Sequence, residues 1–301
     1  MEYISSRDKN KTVVSSAQAI KRGQAPDGGL YVPTSIPHID QAFIDSLAPL
    51  DYAARAAKIL ELFLTDYTHE ELLGACCAAY GGDRFDPNPA PVAKVGDNNV
   101  LELWHGPTCA FKDLALQLLP RLLSLALDKT GEKRDALILV ATSGDTGKAA
   151  LEGYKDVDRV KITVFYPTDG VSNMQKLQMA SQEGKNVNVC AIRGNFDDAQ
   201  TGVKRIFSDA SAAAELDGEG YFLTSANSIN FGRLAPQIVY YFSAYCDMLA
   251  SGSLKRGEKL NVTVPTGNFG NILACYIAKL MGLPIGRLIC ATNKNKVLAD
   301  Y

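Results

Sequence analysis

The sequence predicts an α/β fold in which helices cross over between parallel strands. Two observations carry this. From residue 92 onward, apolar extended runs alternate with helical ones. Runs such as 136–141 (ALILVA) are also apolar throughout, as strands covered on both faces must be. The predicted strands are 100–103, 136–141, 161–166, 187–192, 221–224, 261–265 and 287–291. Helices are predicted at 111–129, 146–155, 172–183, 197–209, 231–250 and 270–281. The first hundred residues read as mostly helical, with apolar residues at helical spacing over 51–64 and 68–80 and Gly81-Gly82 closing the second run. Ahead of these, Ala25-Pro26-Asp27-Gly28-Gly29 is a turn cluster feeding an extended run at 30–32. Pro87, Pro89 and Pro91 make a rigid connector. The chain thus divides into a mainly helical region (1–98), an α/β lobe (99–215) and the start of a larger α/β lobe (216–301).

Composition narrows the function. The 301 residues carry a formal net charge of −2 and no basic run, so nothing marks a nucleic-acid partner. No apolar stretch is long enough for a membrane span, and Met1-Glu2-Tyr3 opens no basic-then-apolar leader. Seven scattered cysteines without a Cys-x-x-Cys pair read as reduced thiols in a cytoplasmic protein. The three histidines (His38, His69, His105) lie far apart, and no metal site is expected.

In open α/β sheets, ligands collect at the carboxyl ends of strands, so the strand-to-helix loops carry the chemistry. Four are rich in Gly, Ser, Thr and Asn. The segment from Trp104 to Asp113 (WHGPTCAFKD) sets Lys112 at the first turn of a predicted helix. A helix N-terminus disfavours a protonated amine, so this lysine is either a nucleophile or a solvated first-turn residue. Gly267-Asn268-Phe269-Gly270-Asn271 is the best phosphate cradle, since glycines let N–H groups converge on an anion at a helix start. Thr142-Ser143-Gly144-Asp145-Thr146-Gly147 suits a carboxylate or a second phosphate, or caps a helix. In the fourth loop, Asn227, Ser228 and Asn230 bind a ligand or shape a turn, and Arg233 pairs with a phosphate or a carboxylate. The acids of Asn195-Phe196-Asp197-Asp198 read as first-turn carboxylates. There is neither a Walker loop nor a Gly-x-Gly-x-x-Gly fingerprint. A lysine nucleophile and an N–H cradle at one sheet edge point to pyridoxal 5'-phosphate, which needs both.

The segments HGPTCAFKDLALQ, ATSGDTGKAA, RGNFDDAQ, NSINFGRLAPQIVYY and VPTGNFGNILACYIAKLMGLPI run in order along the chain, after GQAPDGGLYVP near its start. On these the sequence resembles the threonine synthases, pyridoxal-phosphate enzymes of fold type II. The resemblance implies two open, mostly parallel sheets with flanking helices. It implies that Lys112 carries the cofactor as a Schiff base and that Gly267, Asn268, Phe269, Gly270 and Asn271 hold its phosphate. Thr142, Ser143, Asp145, Thr146, Lys148, Asn230 and Arg233 become the candidates for binding substrate.

The implied reaction converts O-phospho-L-homoserine and water to L-threonine and phosphate. In it the freed Lys112 amine moves protons at Cα and Cβ, phosphate leaves from Cγ and water adds at Cβ. The competing outcomes are a phospholyase releasing 2-oxobutyrate and a non-catalytic binder of phosphometabolites, which would not need Lys112. The family pattern continues beyond Tyr301, where the group facing the pyridine nitrogen is expected. Residues 1–301 alone are accordingly expected to bind cofactor poorly and to be inactive.

Overall fold

Apolar β-branched runs pair best where both faces are covered, and the central sheet follows that rule. The computed structural model describes residues 1–142, 144–226, 228, 230–294 and 296. The N-terminal region holds β1 (Glu2–Ser5), β2 (Val14–Ser15), α1 (Ser16–Arg22), β3 (Tyr31–Pro33), α2 (Gln41–Leu47), α3 (Tyr52–Leu60) and α4 (His69–Tyr80). A hairpin follows, β4 (Val92–Val95) and β5 (Asn98–Leu101), then α5 (Asp113–Leu116) and α6 (Leu119–Lys129). The next stretch comprises β6 (Asp135–Ala141), α7 (Asp145–Tyr154), β7 (Val160–Pro167), α8 (Asn173–Ala180), β8 (Val187–Ile192), α9 (Phe196–Ser208), α10 (Ala210–Gly218) and β9 (Tyr221–Thr224). The last elements are α11 (Phe231–Ala250), β10 (Leu260–Pro265), α12 (Gly270–Met281) and β11 (Ile285–Ala291).

Strands β8-β7-β6-β9 form a four-stranded sheet that is parallel throughout, with Ala136 facing Val160 on one side and Phe222 on the other. Strands β10 and β11 form a separate parallel pair. The carboxyl ends of β6, β9 and β10 deliver the three polar loops, and the Lys112 segment follows β5.

Many helix starts are signed by the sequence. Ser15, Asp40, Asp51 and Thr68 each accept a first-turn N–H at the heads of α1 to α4. Such caps contribute about 1 kcal/mol each. Asn195 and Asp198 form a reciprocal capping box at α9, the role read for those first-turn acids. Helix α11 is buried over most of its length and packs on α2, α3, α5 and α12. Arg55 of α3 locks it in place, donating to the Leu47 and Ala48 carbonyls, to Ser243 and to Asp247 at 2.6 Å.

Three departures from the sequence reading bear on the architecture around the site. The N-terminal region adds an antiparallel sheet, β2-β1-β3, to its helices. The strand expected at 100–103 lies at Asn98–Leu101 and pairs antiparallel with β4. The helix expected over 111–129 is two helices, a single turn (α5) and a longer one starting at Leu119-Pro120. Proline lacks the N–H that a continuous helix needs and fits most readily in a first turn, where Pro120 sits.

Candidate functional site

Lys112 takes the N-cap position of α5 with helical backbone angles. The dipole acting on its amine is therefore that of one turn, weaker than a long helix would supply. What holds the segment is Asp113, which is fully buried. Its carboxylate accepts from Thr108 N at 2.8 Å, Thr108 Oγ1 at 2.6 Å and Ala110 N at 3.5 Å. Burial raises its pKa, and the bonds from Thr108 and Ala110 offset part of that rise. The loop is tight: a methyl on Gly106 would lie 2.6 Å from Asp113 Cβ, and Cys109 takes a positive φ of 56°. The Lys112 amine reaches outward to Asp145 at the start of α7, with Nζ 2.6 Å from Oδ1.

Both side chains line a cavity of about 500 Å³, together with Thr142, Thr146, Ser228, Arg233 and Asn268. Thr142 shapes the rim: its Oγ1 accepts from Gly144 N at 3.2 Å and Gly147 N at 3.1 Å. Arg233 sits in the first turn of α11, 5% exposed, donating Nη1 to the Ala226 carbonyl at 2.8 Å, while its Nε has no partner among the described residues. Burial pushes its pKa down to about 10, so it remains cationic at neutral pH. A buried guanidinium in the lining of a polar cavity offers positive charge to an anion there.

The 267–271 loop presents its cradle at the same cavity through Asn268. Phe269 takes a left-handed φ of 60° and starts α12 with no side-chain cap. The first N–H groups of that helix are thus not claimed by a capping side chain. Space around Gly267 is open, with no atom within 4 Å of where a Cβ would lie. Gly270 opens α12. The Asn271 carboxamide oxygen accepts from Tyr240 OH at 2.8 Å and from Tyr241 OH, which fixes this side chain against α11. An amine, a set of uncapped N–H groups and a buried guanidinium without a carboxylate partner among the described residues, around one cavity, fit a phosphorylated aldehyde.

Two of the candidate residues are engaged elsewhere. Lys148 reaches Gln182 and lies 3.6 Å from Glu152, outside the cavity lining. Asn230 is 1% exposed; its Oδ1 accepts from Gly232 N at 2.8 Å and its Nδ2 donates to the Ile20 carbonyl at 2.9 Å. It caps α11 and ties it to α1. Ser143 lies outside the described residues, as does Asn227. The cavity also gathers Phe196 and Gln200, which the sequence reading left aside. Their signal was the RGNFDDAQ segment, taken there for its acids alone. Among the described residues no cluster of His, Cys, Asp and Glu could hold a metal ion.

The Threonine synthase N terminus family matches residues 2–80. The threonine synthase of Pseudomonas aeruginosa is 41% identical over 306 residues, covering 100% of this chain and 62% of that protein. Human threonine synthase-like 1 is 41% identical over 295 residues, covering 95% of this chain and 39% of that protein. The crystal structure of a PLP-bound threonine synthase from Brucella melitensis superposes with a TM-score of 0.89 at 39% identity, covering 100% of this chain and 62% of that one. The yeast threonine synthase structure gives 0.88 at 35% identity, covering 99% of this chain and 59% of that one. The chain thus spans roughly two-fifths to three-fifths of the length of the relatives it matches. At these TM-scores the expected fold class, open parallel sheets with flanking helices, is the fold of this chain.

Proposed function

Because the chain belongs to the threonine synthase family, we propose that Lys112 holds pyridoxal 5'-phosphate and that the protein converts O-phospho-L-homoserine and water to L-threonine and phosphate. One observation carries this reading: the Lys112 amine, Asn268 ahead of α12 and the buried Arg233 face a single cavity. The activity is proposed for the protein as a whole, since the chain spans 62% of the Pseudomonas relative.

When bound, the cofactor supplies an electron-withdrawing ring that stabilises negative charge at the substrate's Cα. The chain's residues do the rest. Uncapped N–H groups at the head of α12, with Asn268, hold the cofactor phosphate. Arg233, in the cavity lining, supplies positive charge for the substrate phosphate. Thr142 and Thr146 border the space for the substrate's amino-acid end. Asp145 carries negative charge, so it faces the substrate ammonium or the lysine and not an anion. The Lys112 amine, once free, moves the protons at Cα and Cβ, with Asp145 keeping it in place. We place the protein in the cytoplasm, where all seven cysteines, free thiols in this structure, stay reduced.

The test is product analysis. With cofactor and phosphohomoserine, phosphate release should be matched by threonine on chromatography. Release of 2-oxobutyrate in its place would overturn the water-addition step, and release of no phosphate would overturn the activity.

A further inference from the structure

On the other side of α7 from the Lys112 cavity lies a second cleft, of about 380 Å³. Arg84, Arg121 and Lys155 converge in it from three separate parts of the chain: the loop after α4, helix α6 and the C-cap of α7. Among the described residues none of the three has a carboxylate partner within ion-pair distance, whereas Arg134 and Arg159, beside the sheet, do.

The two guanidiniums are close enough to oppose each other's charge: burial first, then Arg84, pushes the Arg121 pKa down to about 10. They are held together by neutral oxygens only. Arg121 donates to the Gln117 carbonyl, and Arg84 Nη1 reaches Gln117 Oε1 at 3.4 Å. Gln117 itself is fully buried and its Nε2 has no partner. Two acids also border the cleft, and each has a partner other than its three cations, Glu152 lying 3.6 Å from Lys148 Nζ. Glu152 accepts from Gln182 Nε2 at 2.9 Å, and Asp156 accepts from Lys185 N at 3.0 Å.

Like charges brought together without a counter-ion raise the free energy of a fold, and an anion between them reverses the sign of that contribution. Planar guanidiniums suit the paired oxygens of a phosphoryl group, and the lysine adds a point charge. The absence of aromatic side chains from the lining argues against a stacked base.

We propose that this cleft is a second anion site, distinct from the Lys112 cavity, which takes a phosphoryl group or pyrophosphate on Arg84, Arg121 and Lys155. It sits at the far end of α7, whose first residue, Asp145, meets the Lys112 amine. Ten helical residues put about 15 Å between the two ends.

The experiment is calorimetric titration of the 301-residue chain with inorganic pyrophosphate at low ionic strength. Lys155→Ala and Arg84→Gln remove half-buried groups, and circular dichroism checks their folding. Each should weaken binding about tenfold, as loss of one charge-assisted contact does. Lys155→Arg should restore it. Arg233→Met, which alters the Lys112 cavity, should leave this binding component intact, and so separates the two sites. Pyrophosphate affinity unchanged in both Lys155→Ala and Arg84→Gln would overturn the proposal. So would loss of the binding component in Arg233→Met, or no binding by the unaltered chain.

Discussion

Lys112 Nζ and Asp145 Oδ1 lie 2.6 Å apart, joining the segment after β5 to the head of α7 across the mouth of the cavity. The pair is half open to water on the aspartate side, where Asp145 is 53% exposed. A pair of that kind contributes only about 0–1 kcal/mol to stability. Its weight should fall on the lysine's placement.

Asp145→Ala is therefore expected to leave the thermal midpoint nearly unchanged. The catalytic rate should fall about a hundredfold, the size of a lost proton-transfer arrangement. Parallel melting curves and initial rates separate the two effects. A large fall in midpoint would make Asp145 a structural residue.

Asp113 makes the opposite prediction. Its carboxylate accepts three bonds from Thr108 and Ala110 in a buried setting. Asp113→Ala leaves those donors unpaired, costing about 1–3 kcal/mol or more. Denaturant titration should show the loss, and Asp113→Asn should recover part of it.

Helix α7 is positioned by close backbone contact. A methyl on Gly153 would overlap the Leu116 carbonyl oxygen of α5, with no flexible side chain to give way. Gly153→Ala should therefore destabilise the protein by about 1–3 kcal/mol or more, as overpacking does. A melting temperature equal to that of the unaltered protein would contradict this packing.

Much of this arrangement was legible in the sequence. Apolar runs marked β6, β7 and β10, helical spacing closed by Gly81-Gly82 marked α4, and first-turn acids marked α9. Helix α10 left no trace in the pattern because none of its residues is buried, so it has no apolar stripe. The break between α5 and α6 was hidden because leucines continue at helical spacing through it. Site residues were less legible than strands. Asn230 has the residue type of a ligand and the position of a cap, and only the tertiary approach of α1 decides between them. Lys148 follows a phosphate-like turn, but its helical position turns it towards Gln182.

His105 gives a pH dependence of known sign. Its Nδ1 lies 2.6 Å from Asp86 Oδ2 and its Nε2 2.8 Å from Glu102 Oε2. Only the doubly protonated ring donates to both. The Asp86 bond first, and then the Glu102 bond, raises its pKa above the ordinary 6.5. The folded state thus binds this proton more tightly than the unfolded chain. The stabilisation is fully present below about pH 6.5 while the carboxylates stay ionised, and is lost as pH rises through the raised value. His69, raised by Glu61, titrates in the same direction, so the readout is a difference. Melting temperatures of the unaltered protein and His105→Gln should differ most near pH 6 and converge at higher pH. A constant gap would contradict the coupling.

The account depends most on the claim that the Lys112 amine captures the cofactor aldehyde. Incubation of the full-length protein with pyridoxal 5'-phosphate, borohydride reduction and peptide mapping tests this directly. The account predicts one phosphopyridoxyl adduct, on the peptide containing Lys112. A label on Lys148 instead, or no label on any lysine, would contradict it.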